Sequence, residues 1–179
     1  MLLYPKKYLK NVKEITIELL EKNEIKALIL DVDNTLIDYD KNILDGAPNW
    51  CEDLKQKGIK FCILSNTNNK IKVEKVAKIF NIPYLYFAKK PFKGGFKRAA
   101  KILNEKNNNI AVVGDQIFTD VLGANRSKMF SILVEPIEEK DILVTKIKRP
   151  LEKAIIKKYL GRKNNKWYIL MMYIFWHIY

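Results

Sequence analysis

An α/β fold, a parallel sheet of about five strands with helices on both faces, is what this 179-residue sequence predicts. Three observations lead there. Short apolar runs of strand length recur, each is followed by a stretch with helical spacing of apolar residues, and the two alternate at the spacing of βαβ units. Several of those runs also end abruptly on a polar or acidic residue, as strands do where an open sheet presents its carboxyl edge to a ligand.

Taken in order, residues 8–21 carry Tyr8, Leu9, Val12, Ile15, Leu19 and Leu20 against Lys10, Lys13, Glu14, Glu18 and Glu21, a pattern that predicts a helix with Thr16 at an internal restart. Residues 1–25 are therefore expected to form a helical segment packed on the core. The first strand is Lys26 to Leu30, and the core domain is expected to span 26–136. After a polar loop through Asp45-Gly46, a helix is expected from Pro48 to Lys57, with its early proline and Gly58 at its end. Lys60 to Leu64 is the second strand, and Lys70 to Phe80 a helix burying Ile71, Val73, Val76, Ala77 and Phe80. A short strand at Tyr84 to Phe87, a basic helix at Phe96 to Asn104, a strand at Ile110 to Val113, a helix at Phe118 to Ala124 and a strand at Phe130 to Val134 complete the alternation. Residues 137–179 differ in character, with a basic amphipathic helix near Leu151 to Leu160 and an aromatic tail from Trp167 to Tyr179.

Charge and cysteines bound the setting. A net charge of +13 favours anionic partners without choosing among nucleic acid, acidic lipid and phosphorylated metabolites. The excess concentrates in Lys140 to Lys166, ten Lys or Arg against Asp141 and Glu152. Cys51 and Cys62 match no zinc spacing and read as buried free thiols in a reducing compartment, consistent with the cytosol. The amino terminus lacks the apolar stretch of a secretory signal. The 13 residues of the tail are fewer than the ~20 that span a bilayer as a helix. They suit either an interfacial position, giving peripheral contact with the inner face of the membrane, or packing on the domain or on a second copy.

The polar residues that end strands are Asp31 with Asp33, Ser65 with Asn66, and Asp115 with Asp120 one turn later; Lys89-Lys90 follows the weaker strand. A parallel sheet brings all of these to one edge. Carboxylates, a hydroxyl and a lysine around one point suit phosphoryl transfer, which is catalysed mainly by positioning and electrostatics and needs a divalent cation, Mg²⁺, to offset clustered acids. Asp31 would attack phosphorus, and Asp33 would protonate the leaving oxygen and later take a proton from water. Asp31, the backbone carbonyl of Asp33 and Asp115 would hold the metal. Ser65 and Asn66 would either hold phosphate or cap the next helix, and Lys90 or its rival Lys89 would supply the cation. Asp120 and Thr35 are expected in the outer shell, although Asp120 equally suits a first-turn acid, and Thr35 and Thr119 turn caps. The lone His177, in the tail, is not a promising general base.

Asp31-Val32-Asp33-Asn34-Thr35, Leu64-Ser65-Asn66-Thr67, Lys89-Lys90-Pro91 and Gly114-Asp115-Gln116-Ile117-Phe118-Thr119-Asp120 resemble, in order and spacing, the four motifs of the haloacid dehalogenase (HAD) superfamily of phosphohydrolases. The Lys-Pro form of the third and the Gly-Asp-Gln-x-x-Thr-Asp form of the fourth look like class III (HAD-IIIA) and, within it, the YqeG-like subfamily. The resemblance covers about residues 4–160. It implies a Rossmann-like core without a large cap domain, Mg²⁺-dependent phosphatase activity, Lys90 rather than Lys89 beside Pro91, and action on phosphatidylglycerophosphate in phospholipid synthesis. A soluble phosphate ester or a nucleic-acid phosphate end would serve the same chemistry. A basic RNA-binding module on the same scaffold is the competing class, disfavoured by an acidic site and the lack of an RNA-recognition motif.

Overall fold

The computed structural model describes residues 2–138 and 150–161. Residues 1–140 form one unit and 141–179 a second, of which residues 150–161 are described and form a helix, where a basic helix is expected. The aromatic tail, with Trp167 and His177, lies outside the described residues.

The first unit is built on six parallel strands, β1 (Lys7–Leu9), β2 (Ala27–Leu30), β3 (Lys60–Leu64), β4 (Tyr84–Leu85), β5 (Ile110–Gly114) and β6 (Phe130–Val134), in the spatial order β1-β6-β5-β2-β3-β4. Five helices connect them: α1 (Ile17–Lys22), α2 (Ala47–Gln56), α3 (Lys70–Phe80), α4 (Lys93–Leu103) and α5 (Leu122–Arg126). The central strand explains the sheet's two-sidedness. Every residue of β2 is fully buried, with Leu28 and Leu30 in one hydrophobic core and Ala27 and Ile29 in the other. A strand buried on both faces has to be apolar throughout, because successive side chains alternate between faces. α2 and α3 close the first core through Cys51, Leu54, Val73 and Phe80, and α4 and α5 close the second through Phe96, Ala99, Leu103 and Ala124. Cys51 and Cys62 thus lie in different cores, both as free thiols, and burial pushes each up to about 12, which makes them inert at neutral pH.

The sixth strand corrects the expected count of five, and it comes from the amino-terminal segment expected to be helical. Lys7, Tyr8 and Leu9 pair with Ile132, Leu133 and Val134 of β6, so this segment extends the sheet instead of packing on it. Two caps explain the break in the apparent helix. Asn11 accepts from Lys13 N to start a single 3₁₀ turn, Val12–Glu14, and Thr16 accepts from Leu19 N to start α1. Val12, Ile15 and Leu20 reach the same core from three different local structures, and that shared destination produced the helix-like spacing. Strand β4 is also shorter than expected. The segment between β2 and α2, residues 31–46, is too short to hold a cap domain, and none occurs among the described residues.

Candidate active site

β5, β2 and β3 are neighbours at the centre of the sheet, so the residues following them converge. Asp31 N donates to Val113 O at 2.9 Å, continuing the β2–β5 ladder one residue beyond the strand and setting the Asp31 side chain beside the end of β5. Asp115 follows Gly114 there. Asp31, Asp115 and Asp120 are all buried, and each offers a carboxylate oxygen within 4.8 Å of the others. A π-turn, Ile117–Val121, brings Asp120 back over the strand end. Gly114 makes this possible, since a Cβ at that position would overlap the Asp120 carboxyl.

Lys90 lies among these acids. Its Nζ is 2.8 Å from Asp31 Oδ1 and 2.6 Å from Asp120 Oδ1, and its side chain is 2 % exposed. Burial works to lower the pKa of this ammonium, but the Asp120 and Asp31 carboxylates outweigh it and raise the group above the ordinary lysine value. Burial pushes the Asp31 carboxyl up to about 7; Lys90 pulls it down, and Asp120 and Asp33 push it further up.

Asp33 sits differently. Its side chain is 48 % exposed and its Oδ1 is 2.5 Å from Nζ of Lys72, on the first turn of α3. Asn34 between them and the rest of the loop has positive φ, +58°, and its N donates to Ile37 O, folding the loop so that Asp31 faces the floor and Asp33 the opening. Ser65, buried at the end of β3, accepts from Thr67 N through Oγ at 3.2 Å, which leaves its hydroxyl proton to donate elsewhere. Thr35 is buried at the turn, its N donating to Val32 O.

Two of the expected site residues, Asn66 and Asp120, also brace Lys90. Asn66, expected on phosphate or at a helix cap, spends both ends of its amide on the Lys90 backbone: Oδ1 accepts from Lys90 N at 2.6 Å and Nδ2 donates to Lys90 O at 3.0 Å. It positions the lysine. Asp120 likewise engages Lys90 with one oxygen and accepts from Gln116 N and Thr119 Oγ1 with the other, so Thr119 braces this acid as well as the turn. Lys89 is turned away, its Nζ over the Phe87 ring at 5.1 Å. Lys72 was not anticipated, because one lysine on a helix rich in them carries no sequence signal of its own.

The family described as mitochondrial PGP phosphatase has a sequence model that matches residues 1–138. The chain belongs to that family. Across 91 % of its length it is 36 % identical to 95 % of the "Probable phosphatase YqeG" of Bacillus subtilis. Among solved structures it is similar to a possible sugar phosphatase of the HAD superfamily from Cytophaga hutchinsonii, with TM-score 0.56 and 14 % identity over 74 % of this chain and 92 % of that one. It is also similar to the cobalt-bound deoxy-D-mannose-octulosonate 8-phosphate phosphatase of Haemophilus influenzae, with TM-score 0.50 and 19 % identity over 61 % and 68 %. This YqeG-like member of the PGP phosphatase family shares its α/β fold with a solved structure of the HAD superfamily, and no cap domain occurs among its described residues.

Proposed function

We propose that the protein is a Mg²⁺-dependent phosphomonoester hydrolase that works through an aspartyl-phosphate on Asp31, with phosphatidylglycerophosphate as substrate. The observation that carries the chemistry is the buried gathering of Asp31, Asp115 and Asp120 around Lys90. The family description and the basic character of the chain support the choice of an anionic phospholipid.

In this reading Asp31 attacks phosphorus, the bond from phosphorus to the ester oxygen breaks, and Asp33 gives that oxygen its proton. The open position of Asp33 suits a group that must meet a leaving alcohol and then water. Asp33 next accepts a proton from the water that attacks the phosphoryl group, and the Asp31 carboxylate departs. Lys90 Nζ and the Ser65 hydroxyl hold phosphoryl oxygens. Asn66 fixes the Lys90 backbone, and Asp120 keeps its ammonium aimed at the floor. The side chains of Asp31 and Asp115, with the Asp33 main-chain carbonyl, would hold Mg²⁺, which would neutralise charge on the phosphoryl group and lower the Asp31 pKa.

Among the described residues no helix is long and apolar enough to cross a membrane. A lipid substrate would then be met at the cytoplasmic membrane surface, with the basic segment after residue 140 contributing attraction to acidic headgroups. The test is phosphate release from phosphatidylglycerophosphate in vesicles and from soluble esters, with and without Mg²⁺. Mg²⁺-dependent release from the lipid, lost in Asp31→Asn, is expected. Equal release by wild type and Asp31→Asn contradicts the mechanism, and turnover of soluble esters alone moves the substrate to that class.

A further inference from the structure

Beside the catalytic floor, on the α3 side, the surface opens into a groove of about 310 Å³, at the lower end of the ~300–1,000 Å³ typical of ligand sites. Its walls are α3 and the loop segment that returns from Ile37 to Ile43. Ile43, Ile71 and Ile79 supply apolar surface, and Lys41, Lys72 and Lys75 stand around them. Ile71, expected on the buried side of α3, is instead 68 % exposed, and Ile79 is 54 % exposed; the side committed to the core is Val73, Val76, Ala77 and Phe80. The groove neighbours the site through Lys72, which lines it and pairs with Asp33, the residue facing the opening of the site.

We infer that this groove is the substrate's second subsite, seating the alkyl or acyl portion of an amphipathic phosphomonoester while its phosphoryl group lies over Asp31. Water-exposed isoleucines ringed by lysines match an apolar chain joined to anionic oxygens: the chain would cover Ile43, Ile71 and Ile79, leaving the polar groups of the wall, Lys41, Lys75 and Asn69, to the oxygens. The volume is sized for the start of a chain and its attachment, with the rest of a long lipid left in the bilayer. Lys41 and Lys75 would meet anionic oxygens beyond the scissile phosphate. The inference deepens the phosphomonoesterase reading and rests on it for the placement of the phosphoryl group.

The experiment follows binding, not turnover. Full-length protein in Mg²⁺ is titrated with octylphosphonate, below its micelle concentration, and with methylphosphonate, while the isoleucine methyl resonances are recorded. Octylphosphonate is expected to bind at least roughly tenfold tighter, a fraction of what burying seven further methylenes can supply, and to shift the Ile71 and Ile79 methyls. The Ile71→Ser/Ile79→Ser double variant should bring the ratio of the two affinities close to one. Ile102→Ser, an exposed position on α4 across the sheet, should keep the wild-type ratio. Equal affinities in the wild type, no octylphosphonate binding, or a ratio that survives the double variant would overturn the subsite. A chain-length preference without turnover of phosphatidylglycerophosphate keeps the groove and removes that lipid. Lipid turnover without a chain-length preference keeps the lipid and removes the groove.

Discussion

The floor and the rim of the site each hold an aspartate paired with a lysine, and the two pairs share little else. On the floor, Asp31 and Lys90 are both buried, and Lys90 is shared with Asp120. On the rim, Asp33 is half exposed and its partner Lys72 comes from a helix surface. Two residues of separation place these aspartates in different dielectric surroundings. Buried charges interact strongly and cannot lose a partner cheaply, whereas exposed pairs are screened and contribute little to stability. The floor is thus suited to holding a fixed charge pattern, and the rim to a group that exchanges protons with leaving alcohol and water.

The largest break in that contrast should come from Lys90→Ala. It leaves buried carboxylates facing one another, and without divalent cation a loss of about 3–5 kcal/mol is expected from unfolding measurements, partly recovered in saturating Mg²⁺. A small loss, unaffected by Mg²⁺, would mean that the floor is less tightly coupled than its distances imply. Gly114→Ala comes next. The added methyl meets the Asp120 carboxyl, and the shift it forces should cost about 1–3 kcal/mol and displace Lys90's partner, measured as lower stability together with weaker Mg²⁺ binding.

A pH series sharpens the floor side. The Asp31 carboxyl is raised to about 7 in the ion-free site, so below that pH a proton competes with the metal. Mg²⁺ affinity, followed by calorimetry, should weaken by up to about tenfold per pH unit on going below about 7 and level off above it. The same shift has a stability consequence. A carboxyl whose folded value lies above the unfolded one contributes stability at low pH that is lost as pH rises through about 7, so the ion-free protein should lose more stability between pH 6 and 8 than the Mg²⁺-saturated protein. The smallest effect is expected on the rim. In a double-mutant cycle, Lys72→Met with Asp33→Asn should give a stability coupling of about 0.2–1 kcal/mol, the range of exposed pairs. A coupling as large as that of the floor would erase the distinction.

The sheet was legible because β2, β5 and most of β3 and β6 are apolar on both faces, Ser131 and the exposed Lys60 being the exceptions, and an apolar run ending in a polar residue is hard to mistake. Asp31, Ser65 and Asp115 were legible for the same reason, since each is the first polar residue after such a run. β1 was not, because Val12, Ile15 and Leu20 mimic a helical stripe while coming from a turn, a loop and a short helix. Asn66 and Lys72 were illegible for a different reason. Which group an amide or ammonium reaches depends on where neighbouring segments lie in space, and no spacing in the chain records that the residue after β3 meets Lys90 or that the first turn of α3 meets Asp33.

The most direct measurement is a chemical trap for phosphate on the floor aspartate. Protein quenched in acid during turnover with Mg²⁺ is reduced with borohydride, which converts an aspartyl-phosphate to homoserine, and the peptides are sequenced by mass spectrometry. Homoserine at position 31, absent at position 33 and absent without substrate, is the expected result. Homoserine at position 33, or none at either position while phosphate accumulates faster than the intermediate could escape trapping, would contradict the assignment of Asp31 as the group that attacks phosphorus.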